Sequence, residues 1–183
     1  MAIMEIVKHP ADVLRRKAEP VRKVNAAVRR TLDDMADTMY DAHGVGLAGN
    51  QVGIAKRLVV IDVGDGLLQL INPEIVRRSG EMVEDTEGCL SIPGWQGEVP
   101  RDNQVQMRAT LPNGRMAWFE AEDLFARAIQ HEIDHLDGIL FLDRASRVYE
   151  ITAETQAEEG AEPEAAADEA GQAEQTPAAP HEA

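Results

Sequence analysis

An α+β fold is predicted, with antiparallel sheets packed around a central buried helix and a further helix preceding them. Three observations lead there. The apolar segments run in the order helix, several short strands, helix. The connections between the strands are too short for the crossover helices of a parallel sheet. The last helix is apolar on two sides. At about 100° per residue, Leu124, Ala128, His131 and His135 share one side, and Phe125, Ala126, Ile129, Ile133 and Leu136 the other. A helix of that kind belongs inside a domain rather than on its surface.

The elements follow in chain order. Residues 3–7 are a short apolar run, suited to a first strand or an extended arm. Ala11 to Ala18 is expected to form a short helix, ended near Glu19 by Pro20. His9, before Pro10, is expected at the surface. Asn25 reads as an N-cap, and Val28, Leu32, Met35 and Met39 then make an apolar stripe at helical spacing. Gly44 is placed to end that helix, with His43 in its last turn.

Residues 44–53, GVGLAGNQVG, carry four glycines in ten positions. Backbone here must bend sharply or be approached closely. The spacing matches no phosphate loop. Two readings stand: a plain helix-to-strand connection, or a substrate platform whose Gln51 amide donates a hydrogen bond.

Leu58 to Val63 is a strand, Leu67 to Ile71 a second ending at Asn72-Pro73, and Ile75 to Arg78 a third. Val99 to Leu111 reads as strand around Pro100, turning at Pro112-Asn113-Gly114 into Arg115 to Phe119. Glu120, Glu122 and Asp123 enrich the start of the last helix with acids, as its dipole favours. Gly138 stops that helix and Ile139 to Leu142 packs beyond it.

Composition sets the outer limits. The 183 residues suffice for one domain with a core and an appendage. The formal charge of −15 divides into −5 for residues 1–149 and −10 for residues 150–183, where no Lys or Arg occurs and Pro163, Pro177 and Pro180 interrupt an Ala/Glu-rich run. That segment is expected to be an acidic solvated tail, disordered or loosely helical, its first turns continuing a helix out of Ser146. The acidic balance argues against nucleic acid as a direct ligand. No run of about 18 apolar residues exists to span a membrane, and the N-terminus reads as neither signal nor transit peptide. A single cysteine, Cys89, fits a reducing cytoplasm.

The chemistry concentrates in residues 130–135, QHEIDH. On a helix, positions i and i+4 stand on one face, so His131 and His135 can meet at one metal ion with Glu132 beside them. HExxH alone arises by chance in unrelated chains. Two other blocks accompany it: GVGLAGNQVG at 44–53 and EGCLSIPG at 87–94, the latter holding Cys89. With QHEIDHLDG at 130–138, in this order, they resemble the three signature motifs of the peptide deformylases. The flanks agree at Leu14-Arg15, Pro20-Val21, Ile71-Asn72-Pro73, Leu140-Phe141 and Asp143, so that the resemblance covers about residues 3–147. The family more usually has Ala where Gly49 stands and often Pro where Asn50 stands. Gly49 is expected to loosen the loop. The acidic tail is no part of the pattern.

A catalytic metal site needs about three protein ligands, and HExxH supplies two. A zincin-type metallopeptidase takes its third ligand downstream, as His or Glu; the only downstream His is His181, and Glu150 and Glu154 are possible, all in the acidic segment. Cys89 lies upstream on a structured stretch and is the expected third ligand. Cys-His-His suits zinc or iron(II). The resemblance implies one divalent ion, Fe²⁺ natively, with Zn²⁺, Ni²⁺ or Co²⁺ as substitutes. It also implies hydrolytic removal of the formyl group from N-formylmethionyl peptides, with Glu132 as general base and acid and with Gln51 and the Leu90 backbone N–H facing the developing oxyanion. Gly44, Val45 and Gly46 are expected to pair with the peptide as an added strand, Trp95 to border the cleft, and Arg101 and Glu87 to brace the cysteine loop. The ribosome near the nascent-chain exit is a further expected partner. The rival readings are a zincin-type metallopeptidase, a non-catalytic binder of peptide N-termini and a Cys-His thiol hydrolase.

Overall fold

The computed structural model describes residues 2–152. Two α-helices, α1 (Ala26–Asp41) and α2 (Asp123–Leu136), accompany eight strands: β1 (Gly46–Ala48), β2 (Leu58–Ile61), β3 (Leu68–Arg78), β4 (Met82–Cys89), β5 (Ile92–Asp102), β6 (Gln104–Thr110), β7 (Met116–Glu122) and β8 (Arg147–Glu150). All strand pairs are antiparallel, in one sheet of order β1-β2-β3-β6-β7 and a second of order β4-β5-β8. This is the α+β class with antiparallel sheet that the strand spacing predicts.

The Leu-Val-Val-Ile run of β2 is buried throughout because a helix covers each face. Leu58 and Val60 pack with Leu32, Met35 and Met39 of α1. Val59 and Ile61 pack with Ala126, Ile129, Ile133 and Leu136 of α2. Alternate residues of a strand point to opposite faces, so four successive apolar side chains serve two cores. A third cluster, Leu14, Ile92, Val99, Leu140 and Phe141, involves the second sheet.

Several elements differ from expectation. The arm at residues 3–7 forms no strand and is held by single bonds, among them Val7 N–H to Gln51 O at 2.7 Å. The expected helix from Ala11 to Ala18 is one 3-10 turn, Asp12–Arg15. Helix α1 is capped by Asn25 as expected. Its C-terminal left-handed residue is His43 (φ 55°), not Gly44: His43 N–H reaches Tyr40 O and Gly44 N–H reaches Met39 O, the pattern of a Schellman turn. The two strands expected at 67–71 and 75–78 are one, β3, bent by a bulge between Ile71 and Glu74. The bulge absorbs Pro73, which has no N–H to give the ladder.

The strand read from Val99 to Leu111 is two strands in different sheets. The chain changes sheet at Asn103, and the Gln130 side chain holds the corner: its Nε2 donates to Asp102 O at 2.8 Å and its Oε1 accepts from Asp102 N–H at 3.2 Å. Glu120 and Glu122 end β7 rather than opening α2, which starts at Asp123. Leu124, expected on the buried His side of the helix, is 54% exposed. Where a helix out of Ser146 was expected, β8 pairs with β5, and it spans the boundary expected between residues 149 and 150. The acidic run from Ala153 onward lies outside the described residues. Among the described residues no helix is long and apolar enough to cross a membrane.

Candidate metal centre

Two elements deliver the three central donors. The β4–β5 hairpin carries Cys89 at the end of β4, and α2 carries His131 and His135 one turn apart. Cys89 Sγ lies 3.2 Å from His135 Nε2, which lies 3.2 Å from His131 Nε2. One ligand atom from each of the three residues falls within 4.8 Å of the others, an arrangement that could hold a metal ion. A tetrahedral ion with bonds of about 2.0–2.3 Å separates its ligand atoms by roughly 3.3–3.6 Å. The donor set therefore fits such an ion by spacing as well as by chemistry.

A buried charge network surrounds the donors. Glu87, two residues before Cys89, is 6% exposed. Its Oε2 is 2.8 Å from His131 Nδ1, Arg101 donates to both of its oxygens at 2.8 and 2.9 Å, and Arg127 Nη1 donates to Oε1 at 2.8 Å. Arg101 also donates to Asp134 at 2.5 Å, and Arg144 grips the same carboxylate. Burial works to raise the Glu87 carboxyl, but the Arg101 and His131 hydrogen bonds and charges outweigh it and hold Glu87 far below the usual carboxylate range. The expected pairing of Arg101 with Glu87 is present. Arg127, Asp134 and Arg144 were not singled out from sequence. For Arg127 and Asp134, a charge on a buried helix beside the HExxH motif is the signal that a partner was needed; Arg144, beyond the helix, offers no such signal.

The two histidines separate electrostatically. Burial disfavours protonation of both. Hydrogen bonds to Cys89 and Glu87 overcome this at His131 and raise it well above the ordinary value. At His135, burial and the neighbouring His131 charge drive it well below. Glu132 is 4% exposed. Burial raises its carboxyl to about 7, and its Oε2 has no hydrogen-bond partner among the described residues.

The glycine-rich block brings the other side of the site. A Cβ on Gly46 would stand 2.3 Å from Glu132 Oε1, so the carboxylate lies directly against this backbone. Gly49 does not loosen the loop as expected. A Cβ there would meet Ile54 O at 2.7 Å and Lys56 O at 2.6 Å, so its missing side chain lets residues 54–56 close in. Gln51 is buried; its Oε1 accepts from Ala48 N–H at 2.8 Å and its Nε2 faces Cys89 Sγ at 3.5 Å and Ser91 Oγ at 3.3 Å. Asn50 locks the block to the helix, donating to Arg16 O and His135 O.

A cleft of about 570 Å³ opens beside these groups, lined among others by Gly44, Val45, Gly46, Gln51, Cys89, Leu90, Trp95, His131 and Glu132. The structure thus brings nine of the ten expected metal, catalytic and substrate-binding residues to one cleft. The tenth, His135, lies 1% exposed beneath it, against Cys89 and His131. A second cavity of about 550 Å³, over β3, β6 and β7, holds none of them.

The family model for polypeptide deformylase matches residues 3–150. A peptide deformylase of Symbiobacterium thermophilum is 55% identical over 165 residues, covering 88% of this chain and 76% of the relative. The solved peptide deformylase of Thermotoga maritima superimposes with a TM-score of 0.79 at 39% identity, covering 80% of this chain and all of that one. A class I type b peptide deformylase from Acinetobacter baumannii, solved with Met-Ala-Ser bound, gives 0.75 at 34% identity over 79% of this chain and all of that one. A family model matched over residues 3–150 and a relative 55% identical over 88% of the chain show that the chain belongs to the polypeptide deformylase family.

Proposed function

We propose that the chain removes the formyl group from the N-terminal formylmethionine of nascent polypeptides and releases formate. One observation carries the reading: a sulfur and two imidazole nitrogens converge beside a cleft into which a buried carboxylate, Glu132, also projects. The Met-Ala-Ser bound to the Acinetobacter baumannii relative supports a substrate that begins with methionine.

In this reading Cys89, His131 and His135 hold one divalent ion. Their mixed softness suits Fe²⁺ in the cell, with Zn²⁺, Ni²⁺ or Co²⁺ able to replace it. Bound there, such an ion polarises a carbonyl and acidifies water towards a pKa of about 7. Glu87 anchors His131 through Nδ1, which turns the Nε2 lone pair to the cluster. Glu132 takes the proton of the attacking water at its unpartnered Oε2 and returns it to the leaving amine nitrogen; a carboxyl poised near neutrality suits both transfers. Gln51 Nε2 and the Leu90 N–H meet the carbonyl oxygen as its charge develops, a contact whose loss typically lowers kcat by about 10²–10³. Gly44, Val45 and Gly46 pair with the extended peptide, supported by the position of β1 at the edge of its sheet. Trp95 borders the cleft mouth.

The same reading makes α2 the axis about which both sheets are arranged, supported by its burial from Ala126 to Leu136 on all but His131, which is nearly so. It ends the catalytic domain at Ile151 rather than at residue 149, because β8 pairs with β5 and Ile151 lines the cleft. It expects a reducing cytoplasm, in keeping with a free Cys89 thiol, and work near the ribosomal exit.

The test is formate release from formyl-Met-Ala-Ser by protein purified anaerobically, with metal quantified in the same sample. Formate release that scales with metal content is expected. Cleavage within unformylated peptides would instead favour a zincin-type metallopeptidase, and peptide binding without formate a non-catalytic binder.

A further inference from the structure

One wall of the cleft runs on past the end of the second family motif at Gly94. β4 and β5 pair Gly88 with Gln96 and Cys89 with Ile92. Pro93, Gly94 and Trp95 are therefore left over on β5 and bulge out beside Cys89. The last described strand holds this bulge. Glu150 pairs with Trp95, and Ile151 N–H donates to Gly94 O at 2.8 Å. Ile151 then lines the same cleft as Trp95, Leu90 and Val45. The family model ends at residue 150, one position short of it.

We propose that Ile151 is a specificity-determining residue, forming with the Trp95 indole an apolar contact for a peptide side chain downstream of the N-terminal residue. The inference rests on the deformylase reading. That reading seats the formyl carbon at Cys89, His131 and His135, so the first residue lies deep. A nascent chain is far longer than the cleft and must leave through its mouth. The mouth is where Trp95 (43%), Val45 (48%) and Leu124 (54%) remain exposed. A large apolar side chain leaving there loses water against Ile151 and Trp95, whereas a small polar one gains little. Backbone pairing along Gly44–Gly46 is indifferent to sequence, so discrimination among nascent chains falls to side-chain contacts of this kind. β8 thereby becomes part of the substrate site, and the chain after the family motifs sets preference rather than chemistry.

The test compares kcat/KM for formyl-Met-Leu-Phe and formyl-Met-Ala-Ser on the metal-loaded full chain. Ile151→Ser is expected to lower the ratio of the two values about tenfold, through KM for the first peptide. Ile151→Leu is expected to restore the ratio. Val148→Ser, on the same strand but away from the cleft, is expected to keep the wild-type ratio. Equal losses on both peptides, or no loss on either, would overturn the proposal, because a merely structural role moves both together. A metal-loaded wild type that released no formate from either peptide would overturn the deformylase reading beneath it.

Discussion

His131 Nδ1 stands 2.8 Å from Glu87 Oε2, across 44 positions of sequence. The contact fixes the ring so that Nε2 faces Cys89 and His135. Arg101 and Arg127 complete the hold on Glu87. Glu87→Gln keeps the shape but weakens the acceptor, and metal affinity is expected to fall about 10–100-fold, measured by competition with a chelator. Glu87→Ala takes the buried Arg127 and Arg101 guanidinium groups off the Glu87 carboxylate, leaving Arg101 only Asp134, and destabilisation of about 3–5 kcal/mol is expected in denaturant titration.

Gly46 lies against the reactive carboxylate. The Cβ of Gly46→Ala would fall 2.3 Å from Glu132 Oε1, and this neighbour must turn away. Turnover is expected to drop by about 10²-fold or more, the scale of a misplaced catalytic group, while metal content stays at the wild-type level. Unchanged turnover would show that the Glu132 position is not critical.

The histidine pair, the cysteine and Gln51 were legible in the sequence because each sits in a short block with its own spacing. Their supports were not, because they join distant segments. The run Glu84-Asp85-Thr86-Glu87 lacks the alternation of a strand, and it hid β4; only Glu87 of the four is buried. Pro73 disguised the continuity of β3. Arg127 drew no reading from sequence because its partners lie far off in the chain: its guanidinium reaches Val83 O, Val99 O and Glu87. β8 was hidden because Tyr149-Glu150 runs straight into the acidic segment. Leu124 misled because a helical wheel gives direction but not depth: it sits in the first turn of α2, at the cleft rim.

Metal-free protein carries a pH signature from Glu132. Burial lifts its carboxyl to about 7 in the folded chain, against an ordinary 4.5. Between those values the folded chain keeps a proton that the unfolded chain has lost, so stability falls as pH rises through the window. The full penalty, on the order of 3 kcal/mol, stands above neutrality. Glu132→Gln removes it. The metal-free variant is expected to be more stable than metal-free wild type at about pH 8 and equal to it at about pH 4, by thermal melting, while losing turnover. A variant less stable at the higher pH would contradict the burial argument.

Arg15 and Asp143 join the 3-10 turn Asp12–Arg15 to the segment after α2, and Asp143 Oδ2 also accepts Leu140 N–H at 2.8 Å. The hydrogen bond from Arg15 holds the Asp143 carboxyl below its ordinary value despite partial burial. A depressed carboxylate contributes stability that is present above its unfolded pKa and lost as pH falls through its folded one. Both side chains are 42% exposed, so the contribution is on the order of 1 kcal/mol or less and is screened by salt. Asp143→Asn is expected to lower the melting temperature slightly at neutral pH, with the gap closing in acid and at high salt. A gap that widened in acid would refute the assignment.

The most direct measurement is X-ray absorption at the metal edge of anaerobically purified protein. The account predicts one sulfur scatterer near about 2.3 Å and two imidazole nitrogens near about 2.0–2.1 Å, with the sulfur lost in Cys89→Ala. A shell of nitrogen and oxygen alone in the wild type, or a sulfur that survived in Cys89→Ala, would contradict it.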